Sequence, residues 1–237
     1  MADTVESRSF ANDFCQAALL ARKVHHRERK AASLARRDGK RARYVRVLIV
    51  CEGEKTEPLY FDDIRIQNRV PKADIRVLSS EFGTQPRQVV DFAELKFKET
   101  RAYDHIFAVF DRDDHTTYFD ALKQAERLDG KLRNDERKPV PFTAIASVPC
   151  FELWLLLHFV DIFEYSERGH ILGRTKQHII GYEKGARNVY SITEPALSEA
   201  IRRAAKLKER FNPFAGDKPF TNVDLVVTLL RSIRTNS

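Results

Sequence analysis

The sequence predicts an α/β protein whose parallel sheet is covered by helices on both faces. Short, nearly continuous runs of β-branched and apolar residues recur along the chain, and such runs are typical of strands buried on both faces. Segments with helical spacing follow them, and this alternation favours a parallel sheet wound right-handed. The predicted strands are residues 45–51, 74–80, 105–110 and 142–147. The predicted helices are residues 56–69, 87–100, 116–128 and 149–160, with two more near 194–210 and 221–234.

Each predicted strand ends in a turn that leads into a helix. The first strand, VRVLIVC, runs into Glu-Gly, and the helix after it has Thr56 as its expected N-cap and Pro58 in its first turn. The second, DIRVLSS, is followed by a Gly-Thr-Gln-Pro turn, and the third, HIFAVF, by DRDDH. The fourth, FTAIAS, leads into PCFELWLLLHFV, which is apolar nearly all round and therefore predicts a buried helix.

These elements divide the chain into three parts. Residues 1–43 form a basic arm that is helical or partly disordered, and residues 44–160 form the α/β core. Residues 161–237 form a C-terminal helical extension packed on the core, irregular at first and helical later.

The net charge of +7 is confined to the N-terminal part of the chain. After Arg46 there are 29 Lys or Arg and 29 Asp or Glu residues, so this body is neutral. A neutral body lacks the surplus of basic residues that binds a polyanion broadly. Nucleic-acid binding is therefore expected from the arm, whose clustered cations can release counterions from phosphates. The candidate phosphate contacts in the arm are Arg22, Lys23, Arg27, Arg29, Lys30, Arg36, Arg37, Lys40, Arg41 and Arg43.

Two other interpretations of the arm remain open. It is also consistent with a solvated leader that has no binding role, and with a segment that docks onto an acidic partner protein.

Composition also indicates the cellular location of the protein. No run of eighteen apolar residues occurs, and the N-terminus carries charged residues where a secretory signal would be apolar. Three scattered cysteines, Cys15, Cys51 and Cys150, make neither a disulfide framework nor a CxxC metal site. We expect a cytoplasmic protein with reduced thiols and no membrane span.

Acidic residues follow the first and third predicted strands. Glu52 and Glu57 come after the first strand, and Asp111, Asp113 and Asp114 come after the third. The carboxyl ends of parallel strands are where ligands bind in such sheets, so these acids should lie close together. If the chain stays extended after the third strand, the first two aspartates share one side of it. Clustered carboxylates favour a hard divalent cation, and oxygen-only ligation indicates Mg2+ or Mn2+.

A purely structural interpretation competes with the metal site. Asp113 or Asp114 would then cap the helix at 116–128, and Gly53 would supply a positive φ in a polar turn. Capping explains each turn separately, but it does not call for Glu52 directly after a buried strand.

Four more residues are candidates near this edge. Glu152 is a lone acid in an apolar segment, so it should face the metal edge or pair with an arginine from the C-terminal region. Arg112 could contact a substrate phosphate, and His115 could contact phosphate or carry a proton. Lys55 could contact phosphate or lower the pKa values of the neighbouring acids through a salt bridge. An exposed arginine and a histidine in the first turn of the next helix explain Arg112 and His115 equally well.

The strings VLIVCEGEKTEPLYF and HIFAVFDRDDH resemble the Toprim domain of topoisomerases, bacterial primases and OLD-type nucleases. Together with SVPCFELWLLLHF and FNPFAGDKPFTNVDLVVTLL they are similar to the RloB-like family of bacterial proteins. This resemblance runs from about Arg46 to the C-terminus. One departure is that Glu57 lies five residues after Glu52, whereas OLD-type nucleases typically have this glutamate four residues on.

The resemblance implies a Toprim-like parallel sheet in which Glu52, Asp111 and Asp113 bind Mg2+ and are catalytic. It also implies a role in phage defence beside an ABC-type ATPase of the SMC-like kind. The leading expectation is therefore a metal-dependent nuclease, in which Glu57, Asp114 and Glu152 could ligate a second ion. A non-catalytic subunit that binds nucleic acid or regulates such an ATPase is the alternative, and a phosphoacceptor domain is a third possibility.

Overall fold

The computed structural model describes residues 45–113 and 115–233. The basic arm and Asp114 lie outside these residues, so what the sequence predicts for them stays a prediction.

The sequence folds into a mostly parallel sheet flanked by helices, which confirms the predicted α/β class. The strands are β1 (Val47–Cys51), β2 (Ile75–Ser79), β3 (His105–Asp111), β4 (Leu132–Arg133), β5 (Pro139–Val140), β6 (Phe142–Val148) and β7 (Phe220–Thr221). In the described part of the chain the main sheet has five strands in the order β2-β1-β3-β6-β7. The first four are parallel to their neighbours, and β7 runs antiparallel to β6. The short strands β4 and β5 pair with each other.

Helices connect and cover these strands. They are α1 (Thr56–Gln67), α2 (Pro86–Thr100), α3 (Tyr118–Leu128), α4 (Glu152–Leu156), α5 (Arg168–His178), α6 (Val189–Thr193), α7 (Leu197–Arg210) and α8 (Val223–Ser232). A 3-10 turn, Glu194–Ala196, leads into α7. Within the described residues, no helix is long and apolar enough to cross a membrane.

The core lies on both faces of the sheet because strand side chains alternate between them. Leu48 and Val50 of β1 pack with the buried residues of α2 and α3 in one apolar cluster. Ile49, between them, is equally buried and faces the opposite side. On that side the Trp154 indole of α4 donates a hydrogen bond to the Tyr60 hydroxyl of α1 at 2.9 Å. Apolar packing on both faces stabilises the sheet, and the ends of the strands remain available for polar functional residues.

The helix predicted at 149–160 is much shorter than expected. It covers Glu152–Leu156. The prediction was too long because an all-apolar segment gives no periodic signal for where a helix stops. The Arg203 guanidinium donates to the Leu157 carbonyl at 2.7 Å and satisfies a group at the helix end.

The segment after residue 160 is more regular than its sequence indicates. It contains α5 and α6 where the sequence predicts irregular chain, and β7 before the last helix. The side chain of Asn222 extends the pairing of β7, since its amide donates to the Ala144 carbonyl and its oxygen accepts from the Ala146 N–H. This pairing explains why the last helix begins at Val223 and not at 221.

Candidate functional site

Three parallel strands bring their carboxyl ends to one edge of the sheet. Cys51 at the end of β1 is aligned with Val109 of β3, and Asp111 at the end of β3 with Ser147 of β6. Residues that directly follow these positions must therefore lie near one another.

Glu52 is fixed at this edge by two hydrogen bonds. Its Oε2 accepts from the backbone N–H of Asp111 at 2.9 Å, and its Oε1 lies 3.0 Å from Nε2 of His115. The last strand residue of β3 thus holds the first residue after β1.

Five carboxylates line one cleft of about 310 Å³ at this edge. One of them, Glu54, is exposed, and the other four come from the ends of β1 and β3 and from the starts of α1 and α4. Exposure is 8% for Glu57, 6% for Asp111 and 2% for Glu152, so these three acids are buried. The four acids, called the carboxylate cluster below, are Glu52, Glu57, Asp111 and Glu152.

Burial and mutual repulsion make ionisation of this cluster unfavourable. Burial, and then the charges of Glu152 and Glu52, raise the pKa of Glu57 to about 7. Burial, followed by the charge of Glu57, raises the pKa of Asp111 well above its usual value. Burial also raises the pKa of Glu52, although the hydrogen bond from Asp111 opposes the shift. Such a group of acids takes up protons or gains stability from a cation.

The turn after β1 is shaped to admit Glu57. A Cβ at Gly53 would lie 2.2 Å from Oε2 of Glu57, so only glycine leaves room for this carboxylate. Gly53 does not have a positive φ, and the expectation that it supplies one is wrong. Thr56 begins α1 and does not cap it, since its Oγ1 accepts from the N–H of Gly185 at 3.1 Å.

Glu152 lies at the acidic edge, the first of the two positions considered from the sequence. The hydroxyl of Tyr182 donates to its Oε1 at 3.2 Å. Tyr182 comes from the segment that the sequence leaves irregular, and this bond satisfies one oxygen of the buried carboxylate.

Asp113 does not continue the strand beside Asp111. The strand ends at Asp111, and Asp113 has a φ of 34° in the turn that follows. Its N–H donates to the Pro149 carbonyl at 3.3 Å, which bends the chain away from an extended path. It does not cap α3 either, because the N-cap position is Thr117. Its carboxylate is instead paired with the guanidinium of Arg168.

Arg168 is a site residue that sequence reasoning missed. It starts α5, contacts Asp113, and its Nη2 lies 3.9 Å from Oδ2 of Asp111. The chain has 41 Lys and Arg residues, and no local pattern distinguishes this one. Only the folding of the segment after residue 160 against the sheet edge places it here.

Comparison with known proteins agrees with the resemblance described above. Residues 47–230 match the family model described as RloB-like protein. The chain belongs to the RloB-like family. No curated protein and no solved structure matches it. The kinship with Toprim domains stays a prediction.

The remaining predicted contacts of this RloB-like chain lie on two sides of the site. Lys55 lines the acidic cleft together with Lys184, which the sequence did not single out. Arg112 and His115 line a neighbouring cleft of about 580 Å³. Arg112 is held there by Asp217, 2.5 Å from its Nη1, and lies over the Phe119 ring. Arg112 is therefore not simply exposed to solvent. His115 precedes α3, which begins at Tyr118, so it is not a residue of that helix's first turn.

The donor chemistry of the acidic cleft fits Mg2+ or Mn2+, because its candidate ligands are all carboxylate oxygens. As they stand, no three acidic, histidine or cysteine side chains of residues 45–113 and 115–233 are arranged to hold one ion. Both oxygens of Glu52 are hydrogen-bonded, and Asp113 is turned onto Arg168. Ligation of one ion by three of these side chains therefore requires that some of them rotate.

Proposed function

We propose that this chain is a metal-dependent nuclease that hydrolyses phosphodiesters of DNA or RNA at the acidic cleft. The observation that carries the proposal is the set of four carboxylates at the ends of three adjacent strands. Their raised pKa values mark a site where bound cations would relieve repulsion.

Glu52 and Asp111 would be the principal ligands, with Glu57 or Glu152 adding a further oxygen. Bound Mg2+ or Mn2+ would polarise the phosphate and lower the pKa of a water molecule. The chain's own residues would orient these ligands. His115 and the Asp111 N–H orient Glu52, and each oxygen of Glu52 keeps a second lone pair for an ion.

Lys55 and Lys184 at the rim of the cleft would attract the substrate backbone. Both are exposed and line the same cleft as the acids. Cations beside a carboxylate cluster offset its repulsion of phosphates, which otherwise depends on the bound metal alone. The basic arm would add sequence-independent affinity.

The phage-defence role and the ATPase partner are proposed on the family resemblance, and the cytoplasmic location on the three scattered cysteines. We place the chain in the cytoplasm, in phage defence, with an ABC-type ATPase of the SMC-like kind as its partner. A neutral body with no surplus of basic residues supports dependence on such a partner for cleavage.

A cleavage assay tests the proposal. Plasmid, single-stranded DNA and tRNA are incubated with the chain alone and with an ATPase encoded beside it plus ATP, in Mg2+ and in EDTA. We expect cleavage that requires metal and is lost in Glu52→Ala. Cleavage that survives Glu52→Ala would place catalysis in the other subunit and leave this chain as a binding module.

A further inference from the structure

Arg168 stands between two clefts that meet at the sheet edge. It lines the acidic cleft of about 310 Å³ and also the neighbouring cleft of about 580 Å³. Its guanidinium contacts Asp113 and lies 3.9 Å from Asp111, whose carboxylate faces the acidic side. One side chain therefore reaches both the acidic cleft and the open space beside it.

The guanidinium is a permanent charge in this position. Burial opposes the charge, but the carboxylates of Asp111 and Asp113 raise the pKa of Arg168 above its already high value. It cannot give up its proton when another cation arrives. A divalent ion that uses an oxygen of Asp111 would meet this fixed positive charge at short range, and the two cations would repel each other.

The neighbouring cleft has room for the Arg168 side chain. Arg168 is 34% exposed, so rotation toward the open side needs no repacking of the core. Arg112 on that side is already engaged by Asp217, which leaves Arg168 as a donor for an incoming anion. A guanidinium matches the bidentate geometry of a phosphate better than an ammonium does.

We propose that Arg168 and a divalent cation exchange places on Asp111 and Asp113, and that the displaced guanidinium then binds a phosphate of the nucleic-acid substrate. This rests on the proposed nuclease function and adds a phosphate-binding residue to it. The exchange also couples the two ligands, because the metal frees the group that holds the substrate.

Metal affinity provides a readout that is independent of cleavage. The full chain, treated with EDTA and dialysed, is titrated with Mn2+ and followed by electron paramagnetic resonance. Arg168→Met removes the competing charge, so we expect Mn2+ to bind more tightly than in the wild type, by about tenfold or more. Arg174→Met is the matched control, because Arg174 lies on the same helix and lines neither cleft. It should bind Mn2+ as the wild type does.

Binding of a short single-stranded oligonucleotide in Ca2+ measures the second half of the proposal. We expect affinity to fall at least fivefold in Arg168→Met, opposite in direction to the metal affinity. Arg168→Lys keeps the charge but lacks the planar fork, so its Mn2+ affinity should stay within about threefold of the wild type while oligonucleotide affinity falls. This conservative variant keeps the test valid if Arg168→Met folds poorly.

The outcomes separate this inference from the function on which it rests. If the wild type binds Mn2+ and Arg168→Met binds it no more tightly, the exchange is wrong and the nuclease proposal stands. If oligonucleotide affinity is unchanged in both variants, Arg168 is a structural ion pair and not a phosphate contact. If the wild type binds no Mn2+, both proposals fail together.

Discussion

The backbone N–H of Asp111 donates a hydrogen bond to Oε2 of Glu52 at 2.9 Å across two neighbouring parallel strands. The two candidate ligands are therefore held together by the sheet itself. Any loss of either side chain should act on the cation site without requiring a change in strand pairing.

Replacing Asp111 with asparagine removes one like charge from the cluster. We expect the free energy of unfolding in EDTA to stay level or rise by about 1 kcal/mol, the scale of one pKa unit. Mn2+ affinity should fall by at least about tenfold. Losing a residue that only supports a metal ligand typically lowers metal affinity by roughly 10–100-fold, and losing the ligand itself should lower it at least as much. Urea denaturation and calorimetric titration measure the two quantities.

Asp113→Asn is the comparison variant. Asp113 is paired with Arg168 and is partly exposed, so its loss should cost less than about 1 kcal/mol. A fall of more than about 2 kcal/mol in Asp111→Asn would instead identify Asp111 as a structural group.

The raised pKa of Glu57 predicts a pH dependence of stability. Glu57 has its pKa raised from 4.5 to about 7 in the folded chain, so the folded state retains a proton that the unfolded state loses. Its contribution is fully present below pH 4.5 and is lost as pH rises through about 7. In EDTA, unfolding free energy should fall between pH 5 and 8 by about 2–3 kcal/mol more in the wild type than in Glu57→Gln.

Glu54→Gln is the matched control for this experiment, because Glu54 is an exposed glutamate of the same turn. Its pH profile should follow the wild type. Identical profiles for the wild type and Glu57→Gln would show that Glu57 ionises freely and does not belong to the repelling cluster.

Gly53→Ala tests the close approach of Glu57 to the turn. The added Cβ would lie 2.2 Å from Oε2 of Glu57 and must displace that carboxylate from its position. We expect Mn2+ affinity to fall several-fold and stability to change by less than about 2 kcal/mol, because the end of a side chain moves and not the backbone. Gly173→Ala, where an added Cβ meets nothing within 4 Å, should leave Mn2+ affinity unchanged. Equal affinities in both variants would exclude Glu57 from the site.

The sequence best predicts the features that depend on a local residue pattern. Burial on both faces produces the apolar strands, and a parallel sheet puts Glu52 and Asp111 at the same edge, so both could be located in advance. The expected position of Asp113 was wrong because the chain turns after Asp111: Asp113 has a φ of 34° and donates to the Pro149 carbonyl, a long-range contact that no i, i+2 pattern contains. Arg168 and Tyr182 reach the site through long-range packing, and single residues in a charged, irregular segment carry no signal of that.

Deletion of residues 1–43 tests the role of the basic arm. The remaining body has 30 basic and 29 acidic residues and is nearly neutral, so nucleic-acid affinity should fall and lose most of its salt dependence. Six phosphate contacts in the arm would give the full chain a log-log salt slope of about −4 to −5. Titration of a labelled oligonucleotide at several salt concentrations measures both slopes, after circular dichroism has checked the fold. An unchanged slope would show that the arm does not supply the phosphate contacts and serves something else, such as a protein partner.

The central claim is that the acidic cleft binds a catalytic cation. An anomalous difference map from a crystal soaked in Mn2+ tests it before any substrate is chosen. We expect a peak within ligand distance of carboxylate oxygens of Glu52 and Asp111, with a third oxygen from Glu57 or Glu152. A map with no peak in this cleft, from a well-diffracting crystal soaked in excess Mn2+, would show that the cleft is not a cation site.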